Sequence, residues 1–80
     1  MDSDNLIRMA NRIGAFFEAM PDRAEALEGI ATHLTKFWEP RMRREFLVLC
    51  DSPSDAASIA AIVRAAVQAH RARIEPRIRP

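Results

Sequence analysis

Apolar residues recur along the chain at the three- and four-residue spacing of amphipathic helices, and the first such pattern covers residues 4–20. Its stripe consists of Leu6, Ala10, Ile13 and Phe17. Pro21 ends this predicted helix, because proline lacks an amide donor and disfavours helical backbone at the preceding residue. Met9, Phe16 and Met20 are apolar but lie off the stripe, so the helix has more apolar surface than one small core requires. This surplus indicates a protein partner.

Two further helical patterns follow, over residues 23–38 and 40–50. The second stripe consists of Leu27, Ile30, Ala31, Leu34, Phe37 and Trp38, and the third consists of Met42, Phe46 and Leu49. Asp22 is placed to cap the second helix, and Pro40 suits the first position of the third. Gly29 weakens the second helix by ~1 kcal/mol relative to alanine, but a glycine also lets another helix approach closely. The break between these two helices is predicted to be a sharp corner.

A fourth pattern follows a dense turn signal at residues 51–55. Its stripe consists of Ile59, Ile62, Val63, Ala66 and Val67. This spacing predicts a helix over residues 54–72, and the many alanines around the stripe favour helicity. The arginine-rich end, residues 71–79, contains Pro76 and is expected to be extended or frayed. No segment shows the alternating apolar and polar pattern of a β-strand, so the sequence predicts an all-α bundle of about four short helices. This bundle forms a single domain at residues 1–72, with a basic tail at 73–80.

The length of the chain limits how this bundle is stabilised. Eighty residues suffice for one core of ~3–5 kcal/mol, so such chains usually gain support from a disulfide, a metal or a partner. Cys50 is the only cysteine, which excludes an intrachain disulfide and fits a reducing cytosol. The acidic N-terminus predicts no export, and the longest apolar stretch, residues 56–63, is too short to cross a bilayer. A partner is therefore the support that the sequence favours.

Few side chains are suited to catalysis or to metal binding. One cysteine and two histidines do not supply a convergent ligand set, and the two glycines form no phosphate-binding loop. An enzyme hypothesis would use Cys50 as a redox thiol together with His33. The simpler interpretations are a small packing cysteine and a partly buried structural histidine. We therefore predict no catalytic, cofactor-binding or metal-binding residue in this chain.

Residues 37–44 combine aromatic bulk, a rigid corner and three arginines. Tryptophan and arginine are enriched among the residues that dominate interface energies. We predict that a partner contacts this corner and the surplus apolar surface of the first helix, through Phe37, Trp38, Pro40, Arg41, Met42, Arg43, Arg44, Met9 and Phe16. The alternative is that Trp38 belongs to the core and that the arginines form a solvated face with acids such as Glu39 and Glu45.

The corner and the two helices before it resemble the delta subunit of the cytoplasmic NAD-dependent, molybdenum- or tungsten-containing formate dehydrogenases. The matching strings are Leu6-Ile7-Arg8-Met9-Ala10-Asn11 with Ile13 and Phe16-Phe17, Gly29-Ile30-Ala31 with His33-Leu34, and Phe37-Trp38-Glu39-Pro40-Arg41-Met42-Arg43. They cover residues 6–50 in the same order, and the corner is the most specific of them. From Asp51 onward the resemblance is loose.

This resemblance implies a non-catalytic accessory subunit of a complex that oxidises formate to carbon dioxide and reduces NAD to NADH. The molybdopterin cofactor, iron–sulfur clusters and FMN are then expected in other subunits, since this chain lacks the cysteine clusters that iron–sulfur centres need. The implied partner is the large molybdenum-bearing subunit, whose assembly, stability or maturation this chain would support in the cytoplasm. A homodimer is expected when the isolated chain has no such partner.

A nucleic-acid-binding module is the alternative function. Arg41, Arg43, Arg44 and the tail arginines are cations of the kind that contact phosphates, with the fourth helix laid in a groove. A net charge of only +1 and the acidic second helix argue against this hypothesis. Salt separates the two functions, because phosphate binding weakens steeply with salt and apolar docking does not.

Overall fold

The computed structural model describes residues 2–77, and α-helices account for most of them. In chain order the helices are α1 (Ser3–Glu18), α2 (Arg23–Phe37), α3 (Pro40–Asp51), α4 (Pro53–Ala56) and α5 (Ala61–Ile74). No strand occurs within this part of the chain, so the all-α prediction is confirmed. No helix among residues 2–77 is both long enough and apolar enough to span a bilayer.

The helix boundaries follow from local capping chemistry. The backbone N–H of Glu25 donates to the Asp22 carboxylate at 3.1 Å, which caps α2 as predicted. Pro40 is the first residue of α3, where its missing amide donor costs nothing. The side chain of Asp2 accepts a hydrogen bond from the backbone N–H of Asp4, so α1 begins one residue earlier than its pattern indicated.

The core lies between α2 and α5, which form the most extensive helix pair, and α1 and α3 cover it. The largest fully buried side chains are Phe46, Leu6, Ile30, Leu34, Ile59, Ile74 and Val63. Gly14 allows α1 to approach α5 closely, because a Cβ there would lie 2.6 Å from Cγ2 of Val63. The close approach predicted at Gly29 also exists, since the ring of Phe17 occupies the space that a side chain would need.

The single helix predicted over residues 54–72 is in fact two helices separated by residues 57–60. A side chain of α1 stabilises the break: Asn11 donates from Nδ2 to the Ser58 carbonyl at 3.0 Å. Its Oδ1 accepts from the backbone N–H of Ala60, the residue before α5, at 2.8 Å. The amide of Asn11 therefore satisfies both a donor and an acceptor that the interrupted helix leaves without an intrahelical partner.

Asn11→Ala is expected to lower the free energy of unfolding by about 1–3 kcal/mol, because the Ala60 N–H and the Ser58 carbonyl lose their partner. Urea denaturation followed by circular dichroism measures this change. Gln68→Ala, at an exposed position of α5, is the matched control and is expected to stay within about 0.5 kcal/mol of the parent. Equal midpoints for the two variants would show that the contact made by Asn11 contributes nothing.

The last helix, predicted to end at residue 72, continues to Ile74 after a bend at His70, so the expectation of an extended or frayed end is wrong for residues 73 and 74. Ile74 is fully buried and holds this turn against the core. Arg71 donates two hydrogen bonds of 2.8 Å to the Asp51 carboxylate, which connects α5 with α3. Arg73 contacts Glu28 and Thr32 of α2. Residues 78–80 of the predicted tail lie outside the described residues.

Candidate protein-docking site

Two phenylalanines lie in solvent near the ends of adjacent helices. Phe16 is 73% exposed near the end of α1, and Phe37, the last residue of α2, is 71% exposed. The ring of Phe16 packs edge-on against Phe17, with centroids 5.1 Å apart, and the His33 ring lies 4.9 Å from that of Phe37. We call Phe16, Phe17, His33 and Phe37 the aromatic face. Exposed apolar side chains grouped in this way are typical of an interaction surface.

The aromatic face borders a groove along α2 and a neighbouring cavity. A cavity of about 590 Å³ lies along the outer side of α2, between Phe17 and Phe37, with Gly29 among its lining residues. A second cavity of about 450 Å³ lies between Ile13, Phe16 and His33. Phe17 and His33 line both cavities, so the two are neighbours. Most of the surface lining this groove is apolar, which suits a protein segment better than a charged metabolite.

Charged side chains border the groove in a graded order. Asp22, Glu25 and Glu28 lie along the N-terminal half of α2, and Lys36 lies near its C-terminal end. Arg73 of α5 reaches the Glu28 carboxylate at 3.3 Å. The groove therefore has carboxylates at the beginning of α2, of which that of Glu28 is already paired, and Lys36 at its end.

Trp38, a predicted contact residue, is only 5% exposed. Its ring packs edge-on against Phe46, with centroids 5.5 Å apart, at the turn from α2 to α3. The alternative interpretation of Trp38 as a core residue therefore agrees with its burial. Met9 and Met42 are partly buried against the same core. The Trp38 side chain is therefore almost inaccessible to a partner, and the side chains of Met9 and Met42 are only partly accessible.

The arginines of the corner have different environments. Arg43 donates from one guanidinium nitrogen to the Thr35 carbonyl at 2.8 Å and so satisfies an acceptor near the end of α2. Its Nε is buried and has no hydrogen-bond partner among the described residues. Arg41 and Arg44 are exposed, as is Pro40. The predicted contact with a partner at this corner stays a prediction, and Arg43 has a structural role whatever the partner does.

The cavity that Arg41 lines connects the corner with the aromatic face. It is lined by Phe37 and Met42, and Phe37 also lines the groove along α2. The exposed ring of Phe37 therefore borders two depressions. Arg44, in contrast, lines another cavity with Val48 and Arg71.

Three of the cations of the nucleic-acid hypothesis already have intramolecular partners. Arg71 pairs with Asp51, Arg73 pairs with Glu28, and Arg43 is bonded to a backbone carbonyl. Phosphate binding would have to compete with each of these contacts. These contacts favour intramolecular roles for Arg71 and Arg73 of α5.

Cys50 and His33 do not meet in one site, since they line different cavities. Burial and the neighbouring Asp51 carboxylate raise the pKa of the Cys50 thiol to about 11, although Arg71 acts in the opposite direction. A thiol with that pKa is a poor nucleophile near neutral pH. Among the described residues, no three His, Cys, Asp or Glu side chains are arranged to bind a metal ion.

We expect Cys50 to react slowly with iodoacetamide in the folded protein. At pH 8 a pKa of about 11 leaves about a thousandth of the thiol ionised, against about a tenth for an unperturbed cysteine. The alkylation rate should be about a hundredfold lower than in urea, and it should rise with pH up to about 11, where the thiol ionises. Equal rates in buffer and in urea would contradict the burial of this thiol.

The comparisons with known proteins agree with the resemblance of residues 6–50. A family model described as NADH-dependent formate dehydrogenase delta subunit FdsD matches residues 5–67, well over half of the chain. The comparison with curated proteins gave no significant match, and neither did the comparison with solved structures. The matched residues include the whole aromatic face and the corner. This chain therefore belongs to the FdsD family, the delta subunits of NADH-dependent formate dehydrogenase.

Proposed function

We propose that this chain is a non-catalytic accessory subunit that supports the assembly, stability or maturation of the large molybdenum-bearing subunit in a cytoplasmic complex. The observation that carries this proposal is the aromatic face, with two phenylalanines more than 70% exposed in a chain that belongs to a family of complex subunits. The two exposed phenylalanines supply no acid, base or nucleophile. The physical use of such a surface is to be covered by another protein.

The energetics of burial support a stabilising role. Covering one exposed phenylalanine contributes about 1.5–3 kcal/mol, and Phe16 and Phe37 together therefore match the ~3–5 kcal/mol of a small core. Part of this gain is offset by the loss of translational and rotational freedom on association. A partner that covers the aromatic face would thus stabilise this chain by less than the sum of these two contributions, and the chain in turn would protect the partner's apolar surface.

The redox cofactors of the complex are proposed to lie in other subunits. An iron–sulfur cluster requires several cysteine ligands, and Cys50 is the only cysteine in this sequence. This chain therefore has too few cysteine ligands to hold such a cluster. We propose the same of the molybdopterin cofactor and FMN, so that formate oxidation and NAD reduction take place elsewhere in the complex.

Deleting the gene for this chain from its native cells tests the proposed function. We expect the formate dehydrogenase purified from such cells to have a lower yield or molybdenum content, and expression of the wild-type chain should restore both. The purified chain alone should not oxidise formate. Native mass spectrometry of the wild-type complex separates two forms of support, because a permanent subunit co-purifies stoichiometrically and a maturation factor does not.

Two results would contradict this proposal. One is a complex of unchanged yield, molybdenum content and thermal stability in the absence of this chain. The other is turnover of formate by the purified chain without the remaining subunits. If substitutions in the aromatic face destabilise the complex and substitutions elsewhere on the chain do not, the function depends on that surface.

A further inference from the structure

We propose that two copies of this chain form a two-fold symmetric dimer in which their α2 helices pack antiparallel, with Glu25 of each copy paired with Lys36 of the other. The dimer covers the groove along α2 when the other subunits are absent, so the proposal goes beyond the proposed function and does not depend on it. Three observations carry it: the spacing of the residues that line the groove, the charges among them that have no partner, and the exposed ring of Phe37.

The spacing of residues along the groove is the same in both directions of α2. The groove is lined by a series consisting of Glu25, Gly29, Thr32 and Lys36. Steps of four, three and four residues keep this series on one face of a helix with about 3.6 residues per turn. When two such helices pack antiparallel about an axis midway between Gly29 and Thr32, position 25 of one copy lies opposite position 36 of the other. The Phe17 ring already fills the space beside Gly29, so the second copy packs on this filled surface.

The two outer positions of this series carry opposite charges. Glu25 and Lys36 are exposed, and their side chains make no ion pair among residues 2–77. They cannot pair within one chain, since eleven residues of helix place them ~16 Å apart along the axis. Glu28, in contrast, is already paired with Arg73. A two-fold axis brings each of these acids beside a base of the other copy, so the chain itself supplies the complement of its own charges.

The same axis gives the exposed ring of Phe37 an apolar contact. Phe37 is 71% exposed in the single chain. Position 37 of one copy lies opposite position 24 of the other, where the exposed residue is Ala24, which also lines the groove. A methyl group at this position leaves room for the ring. Both Phe37 rings are therefore partly covered by the arrangement that pairs the charges.

This dimer is expected to be weak. Its contact is one pair of helices of 15 residues, which buries less than the ~800 Å² per partner typical of stable complexes. We therefore expect a dissociation constant above about 10 μM. The chain is then monomeric at low micromolar concentration, and the dimer releases the aromatic face readily to a protein that binds it more tightly.

Sedimentation equilibrium of the purified full chain tests the dimer. At about 50 mM salt, the mass should rise from 9.0 kDa towards twice that value as the concentration is raised to about 500 μM. Glu25→Lys and Lys36→Glu should each weaken self-association about tenfold, because both inter-copy contacts then join like charges. The double variant Glu25→Lys/Lys36→Glu should regain the parental affinity. Asp4→Lys makes the same change of charge as Glu25→Lys on α1, outside the groove, and should alter the affinity less than twofold.

An equimolar mixture of the two single variants tests the pairing without relying on the wild-type charges. In the mixed dimer one copy carries lysine at both positions and the other carries glutamate at both, so both contacts join opposite charges. The mixture should therefore associate at least as tightly as the parent. Its advantage over either variant alone should nearly vanish at about 500 mM salt. Circular dichroism of each variant confirms that the helices are retained.

A wild-type chain that keeps the mass of one copy over this whole range would overturn the proposal, and so would assemblies of more than two copies. Self-association that neither single variant weakens, or that the double variant does not restore, would overturn it as well. If the wild-type chain is monomeric but Glu25→Lys weakens its binding to formate dehydrogenase, the groove binds a different protein, and the proposed function still stands. The proposed function fails instead if the complex is unchanged in the absence of this chain, whatever its self-association.

Discussion

Replacing Phe16 and Phe37 together by aspartate is expected to weaken the binding of this chain to the formate dehydrogenase complex by about a hundredfold or more. The double variant loses two large apolar contacts and would bury two carboxylates without partners. The fold should be retained, since both side chains are more than 70% exposed and neither belongs to the core. Biolayer interferometry with immobilised complex lacking this chain measures the affinity, and circular dichroism measures the fold.

Val48→Asp is the matched control for this double variant. It introduces the same side chain at a position that is 67% exposed, but it lies beside Asp51 and Pro76 and not on the aromatic face. We expect its affinity to remain within about threefold of the parent, as for a substitution outside an interface. If Val48→Asp weakened binding and the double phenylalanine variant did not, docking would take place on the opposite part of the surface.

Trp38→Ala is expected to unfold much of the isolated chain at room temperature. Truncating a buried tryptophan costs about 3–5 kcal/mol, which equals the whole stability expected of a core this small. Trp38 is 5% exposed and packs against Phe46, so nearby side chains would have to fill a large cavity. Thermal unfolding followed by far-ultraviolet circular dichroism measures the effect without relying on tryptophan fluorescence.

Phe37→Ala is the internal comparison, because it removes the neighbouring aromatic ring from a position that is 71% exposed. We expect the unfolding free energy to change by less than about 0.5 kcal/mol. A Trp38→Ala protein that melts together with its parent would contradict the core position of this ring. Reduced co-purification of a Trp38 variant with the complex therefore carries no information about docking unless its folding is measured as well.

The sequence predicted α1, α2 and α3 well because their signals are local. Three- and four-residue apolar spacing, the aspartate at position 22 and the prolines at positions 21 and 40 each act within one helix or its end. Pro40 at the start of α3 and the Asp22 cap were both found where the pattern placed them. Such features can be predicted without knowing which residues pack on the other side of the core.

The break before α5 was missed because its cause is distant in sequence. Residues 56–61 are rich in alanine, and their propensity favours an uninterrupted helix. Asn11 overrides that propensity with two hydrogen bonds to residues 47 and 49 positions away. In the same way, the helical conformation of residues 71–74 depends on the burial of Ile74 and on ion pairs with α2 and α3.

The candidate docking surface was predicted only in part. Phe16 and Phe37 were both selected, the first for its position off the apolar stripe and the second for its place in the corner. Their environments, and the burial of Trp38 next to Phe37, depend on the direction in which α3 leaves Pro40. The ring of Phe17 packs on Gly29, and both residues line the groove along α2. The glycine inside a helical pattern was the one sequence signal for that close approach.

Hydroxyl-radical footprinting of the chain, free and within the assembled formate dehydrogenase complex, tests the central claim most directly. Oxidation of Phe16 and Phe37 should fall several-fold on assembly, while that of Val48, equally accessible in the free chain, should change little. Equal labelling of Phe16 and Phe37 in the free and assembled states would contradict docking through the aromatic face.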